Sequence, residues 1–448
     1  MQEKTLMTEG CIWKHLVRFA IPLFLGNLFQ QLYNVADSLV VGNFCGDEAL
    51  AAVSSSGSLC YLLIGFFQGV FMGASVIISR RYGGRDRDGV DRAIHTTLIF
   101  AVAAGILLSV LGVCFTPTIL RWMGTPESVL PNSVLYFRIY CAGMLSLVLY
   151  NTGTGIFQAL GDSRHPLYYL IISSVTNVVL DLLFVAVMDM GVAGAALATV
   201  LGQCLSAALS FIHLFSGKFI VCLSWSKLRL DMDTLKNVIR LGLPSGVQNS
   251  MISIANVVVQ SNINAFGDTA MAGCGSYSKI EGFVFLPIMS LTMALTTFVS
   301  QNLGAGKQDR VKSGVRTGII MAMVVAEAVG IGFFLLAPQL IGLFSSSPEV
   351  IAYGIRQARV EALFYGLLAF AHSAAAVLRG AGKPMIPMVI MLSIWCVLRI
   401  SYITFMVWLF RDITVVFTAY PVTWGLSCFF FAYFITRKNW LYTSSERL

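Results

Sequence analysis

Charged side chains make up only 12% of the 448 residues, against about 25% in an average soluble domain. That shortage, beside 57% hydrophobic residues, excludes a soluble enzyme, a disordered chain and a nucleic-acid binder. Metal and redox motifs are missing too. The ten cysteines form no C-x-x-C pair and none has histidine at ligand spacing, so most read as small hydrophobes inside apolar runs. The histidines His15, His95, His165, His213 and His372 stand alone, without H-E-x-x-H. The glycine loops Gly83-Gly84 and Gly304-Ala305-Gly306 are not followed by G-K-[ST], so no P-loop is present. With no nucleophile–base pair either, the chain is not expected to be an enzyme or to carry a cofactor. The first apolar stretch is long and lacks a small-residue cleavage site, so it reads as a retained span and not a signal peptide.

What the sequence does contain is long apolar runs. A hydrocarbon core of about 30 Å needs roughly 20 helical residues, and twelve stretches qualify: 14–41, 49–79, 93–116, 132–158, 166–188, 192–215, 236–265, 270–300, 314–337, 350–378, 386–410 and 413–436. The formal charge of +8 comes from cations placed beside these runs. Every second loop is basic, with Arg80, Arg81, Arg85, Arg87 and Arg92; Arg164; Lys218, Lys227, Arg229, Lys236 and Arg240; Lys307, Arg310, Lys312 and Arg316; and Arg379 and Lys383. Both termini share the bias through Lys4, Lys14 and Arg18, and through Arg437, Lys438 and Arg447. The intervening loops carry only Arg121 and Arg411. The positive-inside rule then puts both termini in the cytoplasm of a multi-pass protein of the cell membrane.

The chain also repeats. Leu16–Pro22 (LVRFAIP) matches Val238–Pro244 (VIRLGLP), Gly46-Asp47-Glu48-Ala49-Leu50-Ala51 matches Gly267-Asp268-Thr269-Ala270-Met271-Ala272, and SRRYGG from Ser79 matches SQNLGAG from Ser300 with one residue inserted. Pro117 pairs with Pro338, Pro126-Glu127 with Pro348-Glu349, and Gly161…Pro166 with Gly380…Pro384. Six spans per copy give both copies the same orientation. The expected fold is therefore an all-α polytopic membrane protein, with twelve transmembrane helices in two six-helix lobes related by pseudo-twofold symmetry. An N-terminal lobe spans 1–216, a cytoplasmic linker 217–234 and a C-terminal lobe 235–448. Parallel repeats of this kind point to alternating access with a site between the halves.

Polar groups at membrane depth are costly and mark pathways. Gln30, Tyr33, Asn34 and Asp37 share one face of the first span at i, i+3, i+4 and i+7, and Asn177 and Asp181 share a face of the fifth. Two carboxylates and an amide oxygen suit Na⁺. Closely apposed, they would instead hold a proton. The plainer alternative is hydrogen-bonded glue between helices, about 1 kcal/mol each. Asp181 maps onto Arg399 in the second copy, so a cation site belongs to the first half alone. Arg399 would bind an anionic group or pair with Glu361 or Glu281. Gln248, Asn249, Asn256, Gln260 and Asn264 form a second polar ladder, which would line a wet cavity or join helices by hydrogen bonds, and Glu281 would draw cationic substrates or form a buried ion pair. Glu361, near Arg356 and Arg359, reads as a residue at the outer end of its span, where snorkelling satisfies it. Glu327 has no sequence-local partner.

Together Pro22, Asn27…Gln30…Asn34…Asp37, the 46–51 segment, the paired Ser79 and Ser300 loops and Leu378-Arg379-Gly380-Ala381-Gly382-Lys383-Pro384 resemble the multidrug and toxic compound extrusion (MATE) transporters, most nearly their prokaryotic DinF-type branch. The resemblance implies two V-shaped lobes and export of organic cations in exchange for Na⁺ or H⁺. It also implies a coupling site at Asp37, Asn177, Asp181 and Thr199, the last from the resemblance alone. These four would be the ligands if the ion is Na⁺. Gln30, Tyr33, Asn34, Gln248, Asn256, Gln260 and Glu281 are the expected cavity residues, and the expected partners are amphipathic organic cations and the bilayer, with no nucleic acid and a monomeric state. The main rival is a lipid-linked oligosaccharide flippase of the same superfamily, which would need more basic residues in the cavity. A channel and a membrane enzyme are weaker rivals.

Overall fold

The computed structural model describes residues 6–45, 47–216, 223, 228–437 and 440–441, without the side chains of 38–39, 45 and 47–62. Gly46 and the side chains of 47–51, most of the expected 217–234 linker, and Lys4, Lys218, Lys227, Lys438 and Arg447 lie outside this description.

Helices account for nearly all of it, with no strand among the described residues. In order they are α1 (Ile12–Cys45), α2 (Asp47–Gly83), α3 (Arg87–Trp122), α4 (Leu130–Ala142), α5 (Met144–Ala159), α6 (Arg164–Asp181), α7 (Gly191–Phe215), α8 (Met232–Asn264), α9 (Asp268–Gly304), α10 (Gln308–Gly342), α11 (Pro348–Glu361), α12 (Tyr365–Gly380), α13 (Met385–Met391), α14 (Arg399–Phe410) and α15 (Thr414–Thr436). Among the described residues, 9 helical segments are long and apolar enough to cross a membrane, or up to 10 if α4 and α5 form one bent span. Large apolar side chains such as Val324, Leu335, Trp408 and Phe429 are exposed, as expected where the surrounding solvent is lipid. Helices α1 and α8, 34 and 33 residues long, carry the two polar ladders and fall outside that count.

Several expected spans are broken. The stretch 132–158 is two helices bent by 48° at Gly143, where a Cβ would lie 2.4 Å from Val200. The stretch 350–378 is interrupted by a 3₁₀ turn at Ala362–Phe364. Wide π-helical turns occupy Leu182–Val187, directly after Asp181, and Leu392–Leu398, directly before Arg399. Such turns are rare and concentrate at functional positions.

The chain divides into two compact units. One comprises Met1–Leu6 and Leu25–Gly242, the other Met7–Phe24 and Leu243–Leu448. Residues 7–24 pack with the second unit, and 235–242 with the first. The reason is local packing. Leu16, Phe19, Ala20 and Leu23 make one apolar face of α1 and enter the core built on Tyr277, Phe298 and Tyr365. Met7 N–H donates to Gln301 Oε1 at 3.0 Å. In the first unit, a Cβ on Gly242 would lie 2.1 Å from the Val70 carbonyl, so only glycine allows α8 to approach α2 there.

The repeat reappears in three dimensions. Ser79 Oγ donates to the Ala159 carbonyl at 3.1 Å and Ser300 Oγ to the Gly380 carbonyl at 2.9 Å. One turn earlier, Ser75 donates to Gly155 and Thr296 to Ala376. Each unit thus ties its second long helix to the end of its fourth expected span at the same register. The turn after this helix places Arg85 (φ 59°) and Gly306 (φ 71°) in the left-handed region. The two turns match without the expected insertion, with Arg85 where the second copy has Gly306.

Candidate functional site

The polar stripe of α1 and the Asn177–Asp181 face of α6 come together in the first unit. The carboxyl groups of Asp37 and Asp181 face each other closely enough to interact electrostatically. Asp181 is fully buried and Asn177 nearly so. Neither oxygen of Asp181, neither polar atom of the Asn177 amide, nor Asp37 Oδ1 has a hydrogen-bond partner. Buried polar atoms are nearly always satisfied, and two apposed carboxylates repel at low dielectric. The arrangement can relax by taking up a cation.

One turn from Asp181, Asn177 opens onto a cavity of about 40 Å³ also lined by Gln30, Tyr33, Ser174 and Thr199. That is room for roughly two or three waters. Thr199 Oγ1 donates to the Ala195 carbonyl at 3.0 Å, so its oxygen keeps its capacity to accept at the cavity wall. The close approach of α7 is set by Gly202: a Cβ there would meet the Asn177 Cβ at 3.3 Å, and Ser173 Oγ donates to the Gly202 carbonyl at 2.6 Å. Asn34 also lies on α1, on the stripe between Tyr33 and Asp37.

The second unit holds a different buried cluster. Glu361 is completely buried and accepts from Tyr277 Oη at 3.0 Å and Gln357 Nε2 at 2.9 Å. This corrects the expectation of snorkelling, because the carboxylate is held inward by its own hydrogen bonds. Tyr277 and Tyr365 hydroxyls are 2.7 Å apart. Arg399 donates through Nε and Nη2 to Thr423 Oγ1 at 3.1 and 2.8 Å. Its guanidinium sits 4.4 Å from the Tyr420 ring centre and 5.3 Å from that of Trp395. Glu281 and Glu361 both act on Arg399 electrostatically. Glu327 Oε2 accepts the Gly366 N–H at 2.8 Å, so this carboxylate caps the start of α12 at the break in its span.

The second polar ladder separates. Gln248 turns inward, 2% exposed, and donates to Met391 Sδ, which places it in the interior of its unit and not on an open surface. Asn256 and Gln260 are exposed, and Gln260 Nε2 donates to Asn264 Oδ1 at 2.8 Å. Ser173, Ser174 and Tyr150 at the first site, and Tyr277, Gln357 and Thr423 around the second cluster, were not singled out in the sequence. Ser173 was legible as the residue one turn before Asn177.

The MatE family profile matches residues 22–183 and 244–421. A probable multidrug resistance protein of Bacillus subtilis, YoeA, is 31% identical over 87% of this chain and 86% of its own length. A second, YpnP from the same organism, is 29% identical over 90% of each. Among solved structures, one described as the outward-facing conformation of a multidrug resistance MATE family transporter superposes with a TM-score of 0.92 at 25% identity, covering 98% of this chain and 99% of that one. These are transporters and not enzymes, with apolar helices crossing the membrane many times. On these grounds the chain belongs to the MatE family of multidrug efflux transporters.

Proposed function

We propose that this protein is a secondary active exporter, exchanging amphipathic organic cations for Na⁺ or H⁺ by alternating access. The observation that carries this reading is the pair of apposed carboxyls, Asp37 and Asp181, with unsatisfied oxygens on both and an unsatisfied Asn177 amide beside them. Hard oxygen donors suit Na⁺, and the same apposition suits a shared proton. Asn177 and Thr199 would supply the neutral oxygens for Na⁺.

In this reading twelve helices form two lobes related by pseudo-twofold symmetry, with both termini cytoplasmic. A cation entering from outside neutralises Asp37 and Asp181 and lowers the affinity for the exported compound. After the lobes exchange access, the cation leaves inward and the recharged carboxylates favour loading of the next organic cation. The ion drives export only as far as its affinity differs between the two states. The flippase alternative gains little: of its candidate pyrophosphate ligands Arg399, Lys279 and Arg138, Arg399 is already engaged by Thr423 and two aromatic rings.

The test is export of a fluorescent organic cation from proteoliposomes under separate Na⁺ and pH gradients, with wild type and Asp37→Asn. One gradient should drive export, and the variant should lose that dependence. Movement of a labelled lipid-linked sugar with no response to either gradient would replace this reading with the flippase.

A further inference from the structure

A larger cavity, of about 300 Å³, lies in the second unit, far in sequence from Asp37 and Asp181. Its walls are largely apolar: Leu378, Ile386, Phe434 and Trp440. The Trp440 indole is 4% exposed and donates to the Ile435 carbonyl at 3.0 Å, so its ring is a fixed wall. Lys383, Tyr433 and Arg437 complete the lining, and among the described residues no carboxylate contributes to it. The Arg437 guanidinium stands 4.4 Å over the Tyr433 ring, which holds that cation at the cavity.

The position is as informative as the lining. Three membrane-crossing segments end here: Pro348–Gly380, Met385–Phe410 and Thr414–Thr436. Lys383 sits in the turn between the first two, and Arg437 directly follows the third. Tyr and Trp beside Lys and Arg at helix ends mark the membrane–water boundary. A ligand here meets two cations at headgroup level and an apolar trough beside them. An organic cation would be repelled by Lys383 and Arg437. Inorganic phosphate would use the cations but leave the apolar walls and most of the volume unused.

We propose that this cavity is a binding site for an anionic phospholipid, its phosphate held between Lys383 and Arg437 and its upper acyl chain laid against Leu378, Ile386, Phe434 and Trp440. The site stands apart from the coupling carboxylates. Only its assignment to the cytoplasmic leaflet rests on the orientation proposed above, in which these loops face inward. The volume falls at the lower end of the range for small-molecule sites, and basic pockets between helix ends bind anionic headgroups.

The test reads binding and not transport, so it stands whether or not cation coupling does. Purified full-length protein in neutral detergent is titrated with phosphatidylglycerol or phosphatidylcholine of identical acyl chains, and adducts are resolved by native mass spectrometry. Two interfacial cations should favour the anionic lipid by about thirtyfold. Lys383→Gln with Arg437→Gln should bring it down to the level of phosphatidylcholine, while Lys383→Arg retains it. Millimolar inorganic phosphate should not displace it. Equal binding of the two lipids to wild type overturns the proposal without reference to any variant. So does a preference that survives the double substitution in protein that melts like wild type, and displacement by phosphate would reassign the site to the free anion.

Discussion

A fully buried carboxyl without donors, Asp181, facing the half-buried Asp37, makes an unusual prediction about stability. If Asp181 merely joined helices, its replacement would cost about 1 kcal/mol. Here its oxygens have no partner and Asp37 faces it, so Asp181→Asn removes a repulsion and should melt at or above the wild-type temperature in the absence of coupling ion, while ion-driven export is lost. A clear drop in melting temperature would favour the structural role. Glu327 behaves oppositely. Its carboxylate accepts the Gly366 N–H, so Glu327→Leu strands that donor and should cost roughly 1–3 kcal/mol, whereas Glu327→Gln keeps an acceptor and most of the stability. Thermal melting of the purified variants separates the two. At this scale the sequence was informative wherever a polar residue interrupted an apolar run, as at Asp37, Asn177 and Asp181. It was silent on Tyr277, Tyr365 and Thr423. Tyrosine and threonine are ordinary in apolar helices, and only the fold turns their hydroxyls onto Glu361 and Arg399.

At the scale of the elements, the duplicated turns allow a controlled comparison. Both turns return the chain by the same bonds, Asp86 N–H to the Arg81 carbonyl at 3.0 Å and Lys307 N–H to that of Asn302 at 2.9 Å. A left-handed residue with a Cβ costs about 1 kcal/mol, so Gly306→Ala should destabilise by that order and Arg85→Gly should be neutral or stabilising. Opposite signs in paired melting experiments would establish the equivalence of the two turns. The start of α8 offers a pH test. Asp231 accepts from the Asp233 and Thr234 N–H groups at 3.1 and 3.4 Å and from Thr234 Oγ1 at 2.9 Å. Burial pushes its pKa upward, but these hydrogen bonds and nearby Arg81 outweigh it and hold the carboxyl below its ordinary value. The cap therefore stabilises fully above the ordinary carboxylate range and is lost as pH falls through the lowered one. Asp231→Ala should cost about 1 kcal/mol at neutral pH, with the gap to wild type closing in strong acid. The helix interruptions at Gly143 and Ala362–Phe364 had no such signal. Neither carries proline, and each follows from a neighbour, Val200 against Gly143 and the Ala362 carbonyl over Gly330.

For the whole molecule, the distribution of cations makes a claim that parity can test. The long apolar helices follow from composition, and the repeat follows from matched motifs now seen as matched hydrogen bonds. The division into units does not coincide with the repeat boundary, because residues 7–24 pack with the second unit through contacts far along the chain, such as Met7 with Gln301, 294 positions away. Such contacts leave no local trace in sequence. Orientation rests on the loops alone. With twelve spans, Arg121 and Arg411 lie on one side of the membrane, and Arg85 and Lys307 on the other. In a background whose ten native cysteines are replaced by serine, single cysteines at 121 and 411 should react with an impermeant maleimide on intact cells. Cysteines at 85 and 307 should react only after permeabilisation. Any one missed or surplus span between positions 121 and 307 would reverse that pattern for everything beyond it, so agreement at all four sites fixes both the parity of the spans and the side from which the cation bias is read.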